Sequence, residues 1–203
     1  DFQTSGRGQR GNSWESEPGK NLLFSFVLFP EFLEARRQFL ISQVVSLAIK
    51  EELDSYTDDI SIKWPNDIYW RDKKICGILI ENDLSGHFIG RSISGIGINI
   101  NQNEFHSDAP NPVSLKQITG QEHDRYEILS HILKRVQIYY NGLQTEDSGT
   151  YTAEITARYA RSLFRRRGFH PYEDAGGKFS ARLLRVEQDL SLIHISEPTR
   201  QAE

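Results

Sequence analysis

Gly95-Ile96-Gly97-Ile98-Asn99-Ile100 alternates isoleucine with glycine or asparagine. Because the side chains of a β-strand alternate between its two faces, this stretch predicts a strand whose isoleucines share one face. The opposite face carries only two glycines and Asn99, so a bulky ligand or another backbone can approach it closely. The apolar run Ile75-Cys76-Gly77-Ile78-Leu79-Ile80 predicts a second, buried strand. Both stretches therefore predict β-structure in the middle of the chain.

The patterns on either side predict further strands and one long helix. Residues 21–29 are almost continuously apolar, which predicts a strand buried on both faces of a sheet. Over residues 32–53 the apolar period lengthens to three or four residues, which is typical of an amphipathic helix. Short strands are expected at residues 61–64, 87–89 and 92–100, and within residues 169–187 around a turn at residues 174–177.

Two helices after these strands have recognisable N-terminal signals. Ser114 and Gln117 have the spacing of a capping box, and Gly120 can end that short helix. Asp124 and Glu127 open the next helix. The apolar stripe of this second helix consists of Leu129, Ile132, Leu133, Val136, Tyr140 and Leu143. The order of strands and helices, with antiparallel-type turns, predicts an α+β fold.

The composition is that of a folded domain. The 203 residues include 37 % hydrophobic and 26 % charged residues, enough for a sizeable core, and the formal net charge is −4. This charge argues against a generally basic nucleic-acid binder. A single cysteine, the lack of a signal peptide and the lack of an apolar run near the roughly 20 residues of a membrane span predict a cytoplasmic protein. Methionine is absent even at position 1, so we expect a fragment.

A glycine- and arginine-rich stretch near the start, Gly6-Arg7-Gly8-Gln9-Arg10-Gly11, is typical of a mobile loop. Its glycines let backbone N–H groups face an anion, and Arg7 and Arg10 can neutralise phosphate. The spacing matches neither the Walker phosphate loop nor the dinucleotide fingerprint. A flexible surface loop with two solvated arginines is the alternative interpretation.

Two other segments can present polar groups to a ligand. Lys63-Trp64-Pro65-Asn66-Asp67 ends a predicted strand with a lysine, an amide and a carboxylate, although Pro, Asn and Asp also favour turns without any function. Lys74 stands beside an apolar strand, where it can act as a point charge for phosphate, unless residues 71–74 form only a charged hairpin turn. Cys76 is expected in the core, and the six histidines show no metal-ligand spacing.

In their order along the chain, these motifs resemble those of the biotin protein ligase family. The resemblance is carried by residues 6–11, 63–67, 74–79 and 95–99, followed by Asn111-Pro112-Val113-Ser114-Leu115. It runs from Asp1 to about Gln188. It implies a mixed β-sheet covered by helices in residues 1–164, the catalytic domain, and the start of a small SH3-like barrel in residues 165–189.

The resemblance implies a two-step ligation. The carboxylate of biotin attacks the α-phosphate of ATP, giving biotinyl-5′-AMP and pyrophosphate. A lysine of a biotin carboxyl carrier protein domain then attacks this mixed anhydride. Such chemistry requires charge neutralisation at the α-phosphate, Mg²⁺ on the leaving pyrophosphate and exclusion of water from the anhydride.

The resemblance also assigns roles to individual residues. Lys74, Arg7 and Asp67 would be catalytic, and Lys74 would reach both the biotin carboxyl oxygen and the α-phosphate. The residues implied to bind biotin are Gln3, Gly6, Arg7, Gly8, Trp14, Lys74, Gly77 and Gly95. The residues implied to bind the nucleotide are Gln9, Arg10, Asn12, Lys63, Asn66 and Asn99. It assigns no ligand for a metal.

Several features depart from the family pattern. Many members carry Arg where this chain has Gln9 and Asn12, which would weaken retention of the adenylate. A segment that contributes to the biotin pocket would precede Asp1, and no helix-turn-helix domain for binding DNA is found. Residues 190–203 continue no pattern and are interpreted as foreign sequence, such as a sequencing-adapter artefact. A lipoate-protein ligase and a non-catalytic biotin- or nucleotide-binding remnant are the alternatives, and the oligomeric state is open between a monomer and a homodimer.

Arg7→Ala is expected to raise the rate at which biotinyl-5′-AMP is released or hydrolysed, because the loop loses its anchor on the anion. The measurement is the rate of adenylate release from the variant, compared with the parent chain. An unchanged release rate would count against the role assigned to Arg7.

Overall fold

Two antiparallel sheets form the framework of the computed structural model, which describes residues 14–107, 111–145, 147–174, 177–186 and 192–196. In this part of the chain, the strands of the first sheet are β1 (Leu22–Leu28), β2 (Ile60–Lys63), β3 (Asp67–Trp70), β4 (Lys73–Ser85) and β5 (Phe88–Ile98). Their spatial order is β1-β5-β4-β3-β2, and every neighbouring pair is antiparallel. The strands β2 to β5 therefore form a meander, and β1 is added beside its last strand.

Helices pack around α1, which touches the sheet. The described helices are α1 (Phe39–Leu53), α2 (Leu115–Thr119), α3 (Arg125–Gly142) and α4 (Ser148–Arg161). Most residues of α1 are buried, because it packs against β2 and β3 as well as against α3 and α4. None of the described helices is long and apolar enough to cross a membrane. The α+β fold class predicted from the sequence is confirmed.

The two strands that define the centre of the sheet have the predicted faces. Ile96, Ile98 and Ile100 are all buried, with exposed fractions of 4 %, 0 % and 0 %. Cys76 pairs with Ile98 across the sheet and is fully buried, so it is a core residue as expected. Burial raises the pKa of the Cys76 thiol well above its ordinary value, and an apolar site stabilises the neutral thiol.

Both predicted helix starts are confirmed. Ser114 accepts a hydrogen bond from the Gln117 amide, and the Gln117 side chain accepts one from the Ser114 amide, which is the reciprocal capping box. Gly120 ends this helix with a φ of 79°, a conformation that glycine adopts without steric cost. The Asp124 carboxylate accepts from the first backbone N–H groups of α3.

Three predictions about individual elements were wrong: the burial of one strand, the start of the long helix, and the division of one strand into two. The strand expected to be buried on both faces is the edge strand β1, and Val27 is 44 % exposed because nothing pairs with its outer side within the described residues. The long helix starts only at Phe39, after a short 3-10 turn at Ala35–Arg37. The strands expected at residues 87–89 and 92–100 are one strand, β5, because Arg91 continues the pairing with β4.

One strand of the first sheet and one of the helices listed above were not predicted. The strand β3 lies directly after the expected turn, and its four residues are too few to show a period. Helix α4 contains several threonines, and its fully buried contacts come chiefly from Ile155 and Tyr159, so its apolar pattern is sparse. Despite this, α4 supports the sheet, because the Tyr159 hydroxyl donates to the Pro65 carbonyl at 2.5 Å.

The second sheet consists of β6 (His170–Asp174), β7 (Gly177–Val186) and β8 (Leu192–Ser196). The hairpin of β6 and β7 agrees with the strands expected in this region, and the small sheet is consistent with an SH3-like region. No element was expected after residue 189, yet Leu192–Ser196 pairs with β7. The domain boundaries at residues 164 and 189 and the foreign origin of the final segment stay predictions.

Tyr159→Phe is expected to destabilise the protein by about 1–3 kcal/mol, because it leaves the Pro65 carbonyl without its buried donor. Tyr159 is 1 % exposed, and burial raises its pKa, so the hydroxyl is a neutral donor throughout the physiological range. Urea denaturation of the variant measures the effect. Tyr126→Phe is the matched control, since Tyr126 is 63 % exposed. Equal midpoints for both variants would refute the role of Tyr159.

Candidate functional site

Two glycines form a floor without side chains at the centre of the first sheet. Gly77 of β4 and Gly97 of β5 are direct cross-strand partners. The indole ring of Trp14 lies on this floor. A Cβ atom added at Gly97 would come within 2.6 Å of Trp14 Cε2, and one added at Gly77 within 2.8 Å of Trp14 Cζ3. Both positions therefore require glycine as long as Trp14 lies there.

An ion pair lies at the edge of this floor. Lys74 Nζ is 2.6 Å from Asp67 Oδ2 and 5.9 Å from the centroid of the Trp14 ring. The Lys74 and Asp67 side chains are 31 % and 30 % exposed, so a ligand can reach both. Lys73, in contrast, is exposed, as expected for the solvent-facing neighbour.

The backbone of Lys74 is held on both sides by the Asn111-Pro112-Val113 stretch. The Lys74 amide donates to the Asn111 carbonyl at 2.9 Å, and the Val113 amide donates to the Lys74 carbonyl at 3.0 Å. These two bonds form a short parallel bridge beside β4. They fix the point at which the lysine side chain leaves the strand.

The two predicted asparagines are buried. Asn66 is 4 % exposed, and its side-chain amide donates to the Ile78 carbonyl, which ties the turn before β3 to β4. Asn99 is 2 % exposed and donates to the Val113 carbonyl. Among the described residues, Asn99 Oδ1 has no hydrogen-bond donor and the buried Trp14 Nε1 has no acceptor. Asn99 directly follows β5 and the Trp14 ring lies against Gly97, so a buried acceptor and a buried donor lie near this end of the strand.

Lys63 is the cross-strand partner of Asp67, and its side chain contacts Tyr69. Its ammonium is 3.2 Å from the Tyr69 hydroxyl and above the Tyr69 ring. It lines a cavity of about 720 Å³ between the edge of the first sheet and the second sheet. The aromatic walls of this cavity include Trp64, Phe164 and Tyr172.

The structure thus brings together Trp14, Lys74, Asp67 and Gly77, and places Asn99 further along the same strand face as Gly97. Gly95 is also on this face, but an added Cβ would meet Ser25 Oγ at 3.7 Å and the Leu79 carbonyl oxygen at 3.8 Å, which are ordinary contacts. The predicted residues outside the described part of the chain are Gln3, Gly6, Arg7, Gly8, Gln9, Arg10 and Asn12.

Sequence reasoning did not assign Gly97 to the site. The period-two pattern places Gly97 on the same face as Gly95, so the signal for it was present in the sequence. Among the described residues, no three His, Cys, Asp or Glu side chains are grouped as metal ligands.

Comparison with known proteins identifies the class. Residues 1–99 match the model of the biotin/lipoate A/B protein ligase family. The chain belongs to this family, and its fold is like that of a solved biotin protein ligase.

Named relatives agree with this assignment. The bifunctional ligase/repressor BirA of Bacillus subtilis is 35 % identical over 151 residues, which are 71 % of this chain and 46 % of the relative. The biotin–[acetyl-CoA-carboxylase] ligase of Paracoccus denitrificans is 33 % identical over 134 residues, 63 % of this chain and 55 % of the relative. The matches thus span about half the length of these two relatives.

A solved structure extends the likeness to most of the fold. The biotin protein ligase from Aquifex aeolicus, in complex with biotin and ATP, superposes with a TM-score of 0.76 at 28 % identity. The superposition covers 96 % of this chain and 82 % of the Aquifex chain.

Gly97→Ala is expected to lift the Trp14 indole from the sheet, because its Cβ would overlap the ring. Emission that arises from Trp14, isolated by subtracting the spectrum of Trp14→Phe, should move to longer wavelength as the ring becomes exposed. Gly149→Ala is the control, since no atom lies within 4 Å of a Cβ added there. Identical Trp14 emission in the parent and in Gly97→Ala would refute the packing described above.

Proposed function

We propose that this chain is the catalytic part of an ATP-dependent biotin–carrier-protein ligase. The observation that carries the proposal is the Lys74 ammonium, which is reachable from solvent and lies beside a floor of two paired glycines. A cation at the edge of a flat, apolar surface suits a ligand that combines compact apolar rings with a carboxylate. Biotin is such a ligand, and the Aquifex aeolicus relative is in complex with biotin and ATP.

The reaction consists of two displacements. In the first, a carboxylate oxygen of biotin attacks the α-phosphorus of ATP, and the bond to the β-phosphate oxygen breaks, so that biotinyl-5′-AMP and pyrophosphate form. In the second, the amine of a carrier lysine attacks the acyl carbon, loses a proton and displaces AMP. The product is an amide between biotin and the carrier domain.

Lys74 acts in the first step by reducing charge repulsion. The biotin carboxylate and the α-phosphate are both anionic, and they repel each other at bonding distance. An ammonium between them attracts both, and more strongly where negative charge concentrates in the transition state. Asp67, at 2.6 Å, holds this ammonium in place before the substrates bind.

The Asn99 oxygen and Trp14 Nε1, which lack partners among the described residues, suit the base of the nucleotide. A purine such as adenine offers amino hydrogens to the Asn99 oxygen and ring nitrogens to an N–H donor such as Trp14 Nε1. The indole face adds an apolar surface against which a flat ring can pack. Mg²⁺ enters this scheme as part of the MgATP substrate.

The role of Lys63 in binding the nucleotide depends on how the nucleotide lies on the sheet. Because Lys63 lines the cavity beside Tyr69, its contact with the nucleotide would depend on the phosphates or ribose extending toward that side of the sheet. Arg7 and the other loop residues keep the roles that the family resemblance implies. Gln9 and Asn12 remain the positions at which this chain would hold the phosphates less firmly.

The carrier partner in this proposal is a biotin carboxyl carrier protein domain, and the name of the Paracoccus denitrificans relative gives acetyl-CoA carboxylase as the protein to which biotin is attached. A lipoate ligase is the alternative within the same family, but the Paracoccus denitrificans and Aquifex aeolicus proteins quoted above are named as biotin ligases. A homodimer and a cytoplasmic location stay predictions. A non-catalytic remnant that binds biotin or nucleotide is distinguished by experiment.

Lys74→Ala is expected to reduce biotin-dependent ATP–pyrophosphate exchange by roughly 10²–10³-fold, the effect of losing one charge-assisted contact at a reacting centre. Lys73→Ala is the matched control and should be nearly silent, because Lys73 is exposed. Exchange is measured with biotin and MgATP, and transfer with an added carrier domain. Circular dichroism checks that both variants fold.

The outcomes separate the alternatives. Exchange and labelling of the carrier domain by the parent chain would support the ligase. Bound biotin without exchange would identify the remnant, and exchange with lipoate in place of biotin would identify the lipoate ligase. Full activity of Lys74→Ala would refute the catalytic role of this lysine.

A further inference from the structure

The carboxylate of Glu15 accepts hydrogen bonds from backbone and side-chain donors in the segment after β5. It accepts from the His106 amide at 2.9 and 3.0 Å, from the Ser107 amide at 2.6 Å and from Gln102 Nε2 at 3.2 Å. Two successive backbone N–H groups that point at one carboxylate form a local anion-binding arrangement. Residues 102–107 are therefore tied to the residue that directly follows Trp14.

Two buried side chains connect the segment around Glu15 to the first sheet. Gln102 is 1 % exposed and Asn21 is 0 % exposed. Gln102 Oε1 accepts from Asn21 Nδ2 at 2.6 Å and from the Glu17 amide at 3.0 Å, and Asn21 Oδ1 accepts from the Ile100 amide at 3.0 Å. Because Asn21 directly precedes β1 and Ile100 follows β5, this buried network connects the Glu15 segment to the ends of both strands.

The Glu15 carboxyl is held in its charged form by the same contacts. Partial burial acts to raise the pKa of this group, but the hydrogen bonds from Ser107 and His106 outweigh it and lower the pKa below its ordinary value. The carboxylate thus accepts these bonds at neutral pH, and hydrogen bonds to a charged acceptor are stronger than neutral ones.

We propose that Glu15 is a positioning residue that keeps Trp14 on the glycine floor by tying its segment to residues 102–107. The inference rests on the proposed function and deepens it, because the two tied segments flank the face on which biotinyl-5′-AMP would lie. Neither segment can leave the site without breaking the Glu15 contacts. The tie therefore slows the escape of the adenylate and does not take part in the chemical step, since Glu15 touches neither Lys74 nor Asp67 in the described hydrogen bonds.

Glu15→Gln tests the tie with little change in shape. A carboxamide keeps one acceptor oxygen and turns an NH₂ group toward backbone N–H donors, so at least one of the contacts is lost. Glu17→Gln is the matched control, because the Glu17 side chain is exposed and only its backbone amide joins the network. Glu15→Asp, which keeps the charge on a shorter side chain, should give an intermediate effect.

Three measurements decide the proposal. Amide hydrogen exchange of residues 103–107 should accelerate by roughly tenfold in Glu15→Gln, the size expected for losing a hydrogen bond to a charged group. The amides of β4 and β5 should exchange as in the parent chain. Release of biotinyl-5′-AMP should accelerate by a similar factor, whereas pyrophosphate exchange at saturating biotin and MgATP should stay within about twofold.

The result that overturns the proposal is unchanged exchange of residues 103–107, or faster exchange with unchanged adenylate release. The first would show that Glu15 does not hold the segment, and the second that the segment does not hold the adenylate. If the parent chain fails to form biotinyl-5′-AMP from biotin and MgATP, the proposed function fails. In that case the exchange data and the Trp14 emission of Glu15→Gln still confirm or refute the tie.

Discussion

The direct pairing of Gly77 with Gly97 is the constraint on which the site depends. Two adjacent central strands present bare backbone to one side, and an aromatic ring can approach that backbone only because neither position carries a Cβ. The same two strands bury their apolar side chains on the other side, as Ile78 and Ile96 show. The sheet is therefore divided into a packing face, which supplies stability, and a face that lacks side chains at Gly77 and Gly97, where the Trp14 ring lies against the backbone.

Among the described residues, few charged side chains lie around that floor. Within the described residues, the ion pair of Lys74 and Asp67 lies at its edge, while the buried polar groups beside it are amides. Hydrogen bonds fix the backbone near each partner of this ion pair. Lys74 is bonded through its backbone to residues 111–113, and the Tyr159 hydroxyl donates to the Pro65 carbonyl in the turn before Asp67. Helix α4 thus contributes to the site without reaching it. Such support keeps functional side chains in one geometry, which matters more for reactivity than their number.

The sequence allowed much of the fold and part of the site to be predicted. The alternation around Gly97, the capping box at Ser114 and the cap at Asp124 were readable because each depends on residues close in the chain. Edge position, by contrast, depends on which strands become neighbours, so the exposure of β1 could not be read from its apolar run. The role of Glu15 depends on a contact with residues about ninety positions later, and no local pattern encodes such a contact.

The position of β1 also has a consequence for the order in which the protein folds. The strands β2 to β5 pair with their neighbours in sequence, so their contacts close short loops at small entropic cost. Pairing of β1 with β5 must instead close the whole intervening segment, which contains α1 and three other strands. The glycine floor can therefore assemble first, and the segment with Trp14 joins only when β1 docks. During folding, the strands that carry Gly77 and Gly97 would therefore pair before Trp14 packs on them. Pulsed hydrogen exchange can resolve this order.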